Sequence, residues 1–599
     1  MNENPSTPDN QLSSNRFRYA SCVLITAIAA FLRFFWLGLK PLHHDEGVNG
    51  FFLTTLFRTG EYKYDPANYH GPTLYYIALA FAKVFGLSTI PVRASVAIFG
   101  VLTVILIFWL HKYLGRTGAL FAALFVALSP GMSFISRYFI HETFFVFLSL
   151  GFVMAIVFFI EERKAGIFSI AWLALIVLVS LSPTTMNVSS LIAGDNQTAL
   201  WSLRVVFALV EIALTYFVIR LLLSWNEGRP IYFILASACI SLYFATKETA
   251  FITLGTMAIA CVCIWLWRRI FSGFFLGELR SDERSEADLT WSNFIKALGT
   301  RSDLTLILVT AAVVFIYLGV LFFSSFFTFP EGVSRAFEAY SLWLKTGSKE
   351  HTQNGTWAYL RWGMKAEAPI FILAAIGSLI SLKLARHRFA MFTAFWALGL
   401  FAAYTIIPYK TPWLAISFLL PMCLIAGYAI NEMAVAKHTA FKILAAICAV
   451  GASIILAYQS YQLNFVRYDD DTEPYVYAHT KRDFLELIKE IDRYADKSGK
   501  GKDAVIQIVS PDYWPMVWYT KDYTHANYWG KIVDIKDSEM IVAKKNEQDE
   551  EAIRKYSARY EYVGSWDLRP GVELMLLVRK DLADPGGEEL YKIPDVPTR

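Results

Sequence analysis

The stretch KPLHHDEGVNGFF, residues 40–52, follows directly on an apolar run long enough to cross a membrane. It places His43, His44, Asp45 and Glu46 at the point where the chain is expected to leave the bilayer. A solvated loop explains such polarity, and so does a reaction centre at the membrane surface. Ionisable groups at a membrane are costly and mark functional sites, so the choice depends on what the rest of the chain brings to the same surface.

The composition predicts a large membrane domain followed by a soluble tail. Of 599 residues, 55% are hydrophobic and 18% are charged, whereas soluble domains are about 45–50% apolar and about 25% charged. Long apolar runs recur up to about residue 465. We therefore expect a cytoplasmic N-terminal tail at 1–18, a transmembrane domain at 19–465 with a first outer loop at 40–91, and a soluble extracytoplasmic α/β domain at 466–599.

Charge, cysteine content and motifs disfavour other classes of protein. The net charge of +4 is too small to indicate a nucleic-acid partner. The six cysteines form neither a CxxC pair nor another metal-ligand spacing. The chain has no Walker loop and no GxGxxG motif that begins a helix after a strand, so no nucleotide cofactor is expected.

Thirteen apolar stretches come close to the ~20 residues that a membrane-spanning helix needs. They lie at about 19–39, 92–112, 117–136, 142–160, 166–182, 199–224, 230–246, 249–269, 304–326, 369–385, 389–407, 412–431 and 440–463. With thirteen crossings the Lys- and Arg-rich loops fall on one side, which the positive-inside rule makes cytoplasmic. The shorter stretch 72–86 would invert that pattern if it crossed, so we predict a juxtamembrane or re-entrant helix there.

The opposite, extracytoplasmic face then collects titratable motifs from the ends of several spans. Besides the opening stretch, these are SRYFIHE (136–142), ATKE (245–248), PYKTPW (408–413), the loops 182–198 and 328–368, and the whole tail. Single cations such as Arg137, Lys247 and Lys410 could simply snorkel to the interface. Arg33 could bond a neighbouring helix. The acidic and histidine residues beside them are His141, Glu142, Glu248 and Glu367. A set of isolated anchors does not need such companions, so a shared site is favoured.

The tail predicts a small α/β domain. KRDFLELIKEIDRYA (481–495) has its apolar residues at helical spacing, and DAVIQIVS (503–510) and VELMLLVRK (572–580) have the composition of strands. About 130 residues are enough to fold alone. The aromatic stretch SPDYWPMVWYTKDY (510–523) could belong to a core, pack at the membrane interface or stack on carbohydrate, and we favour packing.

These motifs together resemble a known group of enzymes. The acidic pair in the first outer loop, a His-x-Pro turn and a following Arg-bearing segment are similar to the GT-C polytopic glycosyltransferases, which include protein O-mannosyltransferases and the aminoarabinose transferases of lipid A. PLHHDEGVNG, YDPANYHGPTLYY, SRYFIHE, ATKE and PYKTPW resemble more closely the flippase-activity-associated glycosyltransferases linked to archaeal N-glycosylation. DDDTEPYVYAHTKRD and DYWPMVWYTKDY extend the similarity into the tail. One departure is His70-Gly71-Pro72, where mannosyltransferases carry His-Pro-Pro.

The resemblance implies an α-helical polytopic protein of the cell membrane, GT-C-like, with about thirteen transmembrane helices and a C-terminal α/β domain. It implies a polyprenyl-phosphate sugar as the donor, a glycan, lipid or protein as the acceptor, and an inverting transfer at the outer surface. It places the acid that activates the acceptor on Asp45, with Glu46 beside it.

The residues fit that chemistry on their own terms. A carboxylate at an interface can have a raised pKa and take the proton of the acceptor hydroxyl, and cations can stabilise the departing phosphate. The candidates for binding the donor phosphate are Arg33, His70, Arg137, His141, Lys247 and Lys410, and the supporting carboxylates are Glu142, Glu248 and Glu367. A divalent cation held by Asp45 and Glu142 is a further candidate, although no ligand spacing specifies it.

Two other functions stay open at this point. A transporter or flippase for lipid-linked sugars would also carry many spans and intramembrane charges, and a non-catalytic glycan-assembly protein would also have a binding tail. Transporters often show internal repeats and bind their substrates at the midplane. Here no clear repeat is present and the charged motifs lie at the ends of the spans, which favours the transferase.

Overall fold

The structure, a computed structural model, describes residues 8–68, 70–271, 289–347, 354–384 and 387–584. The helices of the membrane domain are α1 (Pro8–Phe34), α2 (His44–Thr59), α3 (Thr73–Phe85), α4 (Thr89–Ile107), α5 (His111–Leu114), α6 (Arg116–Leu128), α7 (Pro130–Ile135), α8 (Glu142–Ile160), α9 (Ile167–Ala193), α10 (Gln197–Ser224), α11 (Pro230–Phe244), α12 (Ala250–Ile270), α13 (Trp291–Ala297), α14 (Arg301–Phe323), α15 (Gly332–Gly347), α16 (Ala358–Ala366), α17 (Ala368–Leu384), α18 (Arg388–Ile406), α19 (Ile416–Ala434) and α20 (Thr439–Tyr461). The ends of the two predicted tails, 1–7 and 585–599, lie outside the described residues.

Ten of the described helices are long and apolar enough to cross a membrane, and the pair α16 and α17, bent by 108°, makes an eleventh if it counts as one span. The predicted spans 117–136 and 230–246 correspond to the shorter apolar helices α6 and α11. Every predicted span therefore coincides with a helix. This confirms a multi-pass helical membrane protein, while the number of thirteen crossings stays a prediction.

The helix α3 occupies the stretch that was expected not to cross. It has 13 residues, about 20 Å at 1.5 Å per residue, and the hydrocarbon core of a bilayer is ~30 Å thick. A straight helix of this length is too short to span the membrane alone, but α6, which was predicted to cross, also has 13 residues, so the position of α3 relative to the membrane stays a prediction.

The predicted loop 182–198 is mostly helical, which corrects its assignment. The helix α9 continues through Pro183 to Ala193. The hydroxyls of Ser182 and Thr185 donate to the carboxylate of Glu211 on α10, so these polar residues bond to a neighbouring helix and need no water. Their polarity made them look like a loop in the sequence.

The helix α19 lies at the centre of the membrane domain and packs against α6, α17 and α18. Small residues allow the closest of these contacts, because an added Cβ at Gly427 would lie 2.4 Å from the carbonyl oxygen of Gly118 on α6. Such close approach of small residues is a common way for membrane helices to associate. The centre of the bundle is thus a tightly packed core, and the loops at one end of the helices are attached to it.

The tail forms the predicted α/β domain. Its helices are α21 (Asp483–Lys497), α22 (Met516–Tyr519) and α23 (Asp549–Tyr556), and its strands are β1 (Val505–Ile508), β2 (His525–Tyr528), β3 (Met540–Lys544), β4 (Tyr560–Arg569) and β5 (Val572–Arg579). The strand order is β2-β1-β3-β5-β4, with β1 parallel to β2 and β3 and with β5 antiparallel to β3 and β4. Apolar residues of α21 cover one face of the sheet and those of α23 the other. The predicted helix and both predicted strands are confirmed.

Candidate active site

Several segments of the chain meet at a cavity of about 210 Å³. They are the start of α2, the turn before α3, the segment between α11 and α12, and the segment between α18 and α19. The polar lining residues are His44, Asp45, Asn49, His70, Lys247, Glu248 and Thr249, and the aromatic ones are Trp343, Tyr404, Tyr409 and Trp413. The structure thus brings residues of the opening stretch, ATKE (245–248) and PYKTPW (408–413) to one cavity, whereas no residue of SRYFIHE (136–142) lines it.

Asp45 lies in the first turn of α2, and 39% of its side chain is exposed. His43 Nδ1 accepts the N–H of Asp45 at 3.0 Å, and His43 Nε2 donates to the carbonyl oxygen of Tyr477 at 2.8 Å. Burial raises the pKa of Asp45, but the hydrogen bond with His44 and the nearby imidazoles of His43, His44 and His70 lower it further, so the net pKa lies below the ordinary value. The carboxylate is therefore ionised at neutral pH, which corrects the raised pKa expected from the sequence.

Glu46 faces away from the cavity and forms a fully buried ion pair. Arg93 Nε and Nη2 donate to its two carboxylate oxygens at 2.7 and 2.6 Å, and both side chains are 0% exposed. The backbone N–H groups of His43 and Phe139 also donate to Glu46, each at 2.8 Å. The remaining donors of Arg93 bind the carbonyl oxygens of Leu37, Lys40 and Pro41. Glu46 therefore holds the start of α2 in place, and the structure does not bring it to the cavity as the predicted catalytic role requires.

The C-terminal domain packs against another face of α2. An added Cβ at Gly47 would lie 2.5 Å from Cβ of Pro515, and one at Gly50 would lie 2.6 Å from Cε3 of Trp518. These glycines let the backbone of α2 touch the aromatic segment 510–523. The packing role favoured for that segment is confirmed, and its partner is the helix that carries Asp45.

Lys247 and Glu248 line the cavity from the segment between α11 and α12. Lys247 Nζ donates to Glu142 Oε1 at 2.5 Å, and Glu248 Oε2 lies 4.0 Å from His70 Nδ1. Burial lowers the pKa of Lys247, but Glu142 and Glu248 raise it above its ordinary value, so the ammonium stays charged. Burial raises the pKa of Glu248 to about 7 against the opposing effect of Lys247, so the charge of Glu248 changes near neutral pH.

The turn before α3 is joined to this segment by main-chain bonds. His70 and Lys247 form an antiparallel β-bridge, and the N–H of Gly71 donates to the carbonyl oxygen of Thr246 at 3.1 Å. An added Cβ at Gly71 would lie 1.9 Å from the carbonyl oxygen of Ala245. A proline at this position would lack the donated N–H, and any side chain would collide. This contact explains the departure from His-Pro-Pro.

His141 supports the turn from behind and does not line the cavity. Its side chain is fully buried, its ring centroid lies 4.7 Å from that of His70, and its Nε2 donates to the carbonyl oxygen of Gly71 at 3.1 Å. Burial lowers its pKa well below the ordinary value, so the ring is neutral. The predicted contact of His141 with a phosphate is replaced by a structural bond to the turn.

Three of the predicted phosphate-binding cations, Arg33, Arg137 and Lys410, bind the ends of helices. Arg33 donates to the carbonyl oxygens of Val126 and Ala127 at the end of α6, at 2.9 and 3.2 Å. Arg137 donates to those of Leu32, Phe35 and Trp36 at the end of α1, at 2.9, 2.7 and 2.9 Å. Lys410 donates to those of Tyr404 and Thr405 at the end of α18, at 2.7 and 2.8 Å. The last turn of a helix leaves carbonyl groups without partners and carries partial negative charge. The expectation that these cations share one cavity with Lys247 is therefore corrected.

Glu367 also does not line the cavity. Its Oε1 accepts from Ser129 Oγ at 2.8 Å, from Gly131 N at 2.7 Å and from Tyr475 OH at 3.3 Å. It thereby joins the start of α7 to the segment that leads into the C-terminal domain. Of the three predicted supporting carboxylates, Glu142 contacts Lys247 and Glu248 lines the cavity, whereas Glu367 is a structural link.

The residues present do not fit the predicted divalent cation. Glu142 accepts a hydrogen bond from the ammonium group of Lys247, whose positive charge repels a second cation at the same oxygen. No group of three or more His, Cys, Asp or Glu side chains within the described parts of the chain is arranged to hold a metal ion. We therefore derive no step through a metal ion.

Sequence reasoning missed two kinds of residue. Arg93 lies in the first turns of α4 and forms an ion pair with Glu46. A lone charge in an apolar helix is costly and requires a partner of opposite charge, and this is the sequence signal that could have identified the pair. Tyr404, Tyr409 and Trp413 line the cavity. Aromatic residues are common at membrane interfaces, and no spacing singles out those that contact a site.

Comparisons with known proteins agree with this architecture. A family model described as dolichyl-phosphate-mannose-protein mannosyltransferase matches residues 69–182, and no curated protein matches the chain. Among solved structures, ArnT from Cupriavidus metallidurans bound to undecaprenyl phosphate has a TM-score of 0.52 at 13% identity, over 94% of this chain and 99% of its own. Its apo state has a TM-score of 0.51 at 12% identity, over 94% and 98%.

A third solved structure is less similar. The archaeal oligosaccharyltransferase AglB from Archaeoglobus fulgidus, in complex with an inhibitory peptide and a dolichol-phosphate, has a TM-score of 0.46 at 14% identity, over 89% of this chain and 70% of its own. The likeness to ArnT, which extends over nearly the whole of both chains, establishes the fold. This chain is a multi-pass membrane protein with the GT-C glycosyltransferase fold.

Proposed function

We propose that this protein is an integral-membrane glycosyltransferase that moves a sugar from a polyprenyl-phosphate donor to a lipid-linked or protein acceptor, with inversion at the anomeric carbon. The observation that carries the proposal is the cavity in which the half-exposed carboxylate of Asp45 and the charged Lys247 face the same space. The family model over 69–182 and the undecaprenyl phosphate bound to ArnT support this class of donor.

In the proposed reaction a hydroxyl oxygen of the acceptor attacks C1 of the donor sugar. Its proton passes to Asp45, and the bond between C1 and the phosphate oxygen breaks, with the electron pair remaining on the phosphate. A single displacement at C1 gives inversion. The low pKa of Asp45 keeps the base ionised, and the proton is transferred late, once the attacking oxygen has become acidic.

Lys247 acts on the leaving group in this proposal. The phosphate diester of the donor leaves as a monoester with more negative charge, so a fixed cation stabilises the transition state more than the bound donor. Glu142 holds the ammonium group in position at 2.5 Å. His70, which is joined to Lys247 by the β-bridge, provides a second donor at the same wall.

We also propose that the cavity faces the extracytoplasmic side. The helix α8 begins at Glu142, beside the cavity, and Arg163 and Lys164 follow its far end. Basic loops are retained in the cytoplasm. Reporter enzymes fused at about residue 290 and after residue 584 should therefore report opposite sides, cytoplasmic and extracytoplasmic. Two cytoplasmic signals would contradict the orientation.

Asp45→Asn tests the reaction itself. The full-length protein in nanodiscs is incubated with radiolabelled polyprenyl-phosphate mannose, glucose or pentose and with an extract of the host membrane as the source of acceptor. Loss of a general base typically lowers the rate by about 10²–10⁴-fold, and that loss is expected for the variant at equal abundance. The amide has the shape of the carboxylate, so insertion should not change, and thermal stability should fall only by the favourable interaction with the neighbouring histidines that lowers the pKa of Asp45.

The matched control is Asp195→Asn, at an exposed carboxylate between α9 and α10. It should transfer sugar at the wild-type rate. Equal rates for wild type and Asp45→Asn would remove Asp45 as the base. Movement of the intact donor across the membrane without release of polyprenyl phosphate would show that the protein is a lipid transporter and not a transferase.

A further inference from the structure

A second cavity, of about 160 Å³, lies inside the membrane domain. Its floor is one stripe of α8, on which Phe144, Phe147, Gly151, Met154 and Phe158 follow each other at intervals of three or four residues. Residues of α9, α11 and the end of α4 complete its walls. It shares no lining residue with the candidate active site. We call this space the α8–α9 groove.

The α8–α9 groove has the length and polarity of a site for hydrocarbon. The stripe from Phe144 to Phe158 is about 21 Å long at 1.5 Å per residue, and one leaflet contributes ~15 Å of a ~30 Å hydrocarbon core. Its hydroxyl groups are bonded internally, since Tyr232 OH donates to the carbonyl oxygen of Lys164 and Ser169 Oγ to that of Gly166. The side chains that line an empty apolar cavity lack van der Waals contacts on that side, so we expect an acyl chain to fill the groove.

Arg163 lines one end of the groove and is exposed. Its guanidinium carbon lies 4.4 Å from the centre of the Phe158 ring. The other charges of the same loop are paired: Glu161 with Lys112, Glu162 with Arg229 and Lys164 with Glu227. Within the described parts of the chain Arg163 has no carboxylate within 4 Å, so its charge is available to a phosphate group, which arginine binds well.

We propose that the α8–α9 groove binds an anionic glycerophospholipid, with one acyl chain along the stripe of α8 and the phosphate on Arg163. The far end lies at Phe144, whose ring packs 4.6 Å from that of Phe99, and no residue of the candidate active site lines the groove. A polyprenyl chain is much longer than the groove. The bound lipid would fasten α9, which is largely exposed, to the rest of the domain.

Photolabelling of the full-length protein in nanodiscs tests this site. The probes are phosphatidylglycerol and phosphatidylcholine that carry the same diazirine at the end of one acyl chain. Label should appear in peptides of α8 and α9, with phosphatidylglycerol favoured by up to about fivefold, because the choline ammonium of phosphatidylcholine offsets the phosphate charge that the exposed Arg163 binds. Arg163→Gln should abolish that preference. Gly151→Leu should remove the label, because an added Cβ lies 3.4 Å from Cys239 Sγ and the longer side chain fills the groove.

Two matched variants control for general effects. Arg301→Gln removes an exposed arginine elsewhere, and Gly255→Leu enlarges an exposed helical glycine with open space around its Cβ. Both should leave the labelling unchanged. Equal labelling by the two probes in the wild type, or full labelling of Gly151→Leu, would overturn the proposal. So would displacement of the probe by unlabelled polyprenyl phosphate at lower concentrations than by unlabelled phosphatidylglycerol.

Discussion

The two walls of the candidate active site are held in different ways. The wall that carries Asp45 depends on a fully buried ion pair and on the segment that leads into the C-terminal domain, because Glu46 pairs with Arg93 and His43 bonds to Tyr477. The wall that carries Lys247 depends on main-chain bonds to the neighbouring turn at Gly71 and on one ion pair with Glu142. One wall is assembled by the tail and a buried charge pair, and the other by the membrane helices themselves.

This difference separates the position of the proposed base, Asp45, from that of the proposed phosphate-binding cation, Lys247. Damage to the Glu46–Arg93 pair or to the docking of Trp518 should move Asp45 and leave Lys247 in place. Damage to Lys247 should affect the donor and leave α2 intact. The C-terminal domain contacts the backbone of the helix that bears Asp45, so we expect it to help position that residue.

Arg93→Met should have the largest effect and should act through stability. The substitution leaves the carboxylate of Glu46 buried without its partner, which typically costs 3–5 kcal/mol. We expect a clear drop in the thermal denaturation temperature of the purified protein. The double variant Arg93→Met/Glu46→Gln, which buries no charge, should recover part of the loss. Denaturation of Arg93→Met at the wild-type temperature would show that the pair does not hold this wall.

Lys247→Met should weaken use of the donor. A hydrogen bond to a charged group contributes ~1.5–3 kcal/mol, so kcat/KM for the polyprenyl-phosphate donor should fall about ten- to a hundredfold. Lys247→Met/Glu142→Gln avoids a buried unpaired carboxylate and should show the same kinetic loss with better stability. The matched control is Lys410→Met, which loses bonds to the end of α18 and should keep its donor KM. An equal rise of the donor KM in Lys247→Met and Lys410→Met would indicate that Lys410 also binds the donor phosphate.

Most of the fold followed from the sequence because the bilayer imposes a length and a polarity on every span. Each predicted span coincides with a helix, and the helix and strands expected in the tail at 481–495, 503–510 and 572–580 are present. The prediction of a loop at 182–198 was wrong because hydroxyl groups of this segment bond to Glu211 on a neighbouring helix. Hydropathy does not distinguish a hydroxyl that faces water from one that faces a buried carboxylate.

The site was predicted less completely, for an equally physical reason. The sequence located Asp45, His70, Lys247 and Glu248, which line one cavity. It could not separate them from Arg137 and the other helix-capping cations, because a charge near the end of a span suits a ligand and a row of free carbonyl oxygens equally well. Only the direction of the side chain decides between the two, and direction depends on how the helices pack.

The pH dependence of donor binding should show the smallest effect and should report on Glu248. Its pKa is raised to about 7 from 4.5 by burial, so the side chain is neutral below pH 7 and adds a negative charge beside Lys247 above it. That charge repels an anionic phosphate, and the donor KM should therefore rise with pH between about 6 and 8. An increase of three- to tenfold corresponds to ~0.7–1.4 kcal/mol. Asp45, whose pKa lies below its ordinary value, does not titrate in this window.

Glu248→Gln keeps the shape of the side chain without its charge and should keep the low donor KM at every pH. The same variant should also remove the loss of stability that wild type suffers as the pH rises from 4.5 through 7, where the unfolded chain releases the proton before the folded one. A KM that rises equally in wild type and Glu248→Gln would assign the titration to another group and leave Glu248 as a neutral part of the wall.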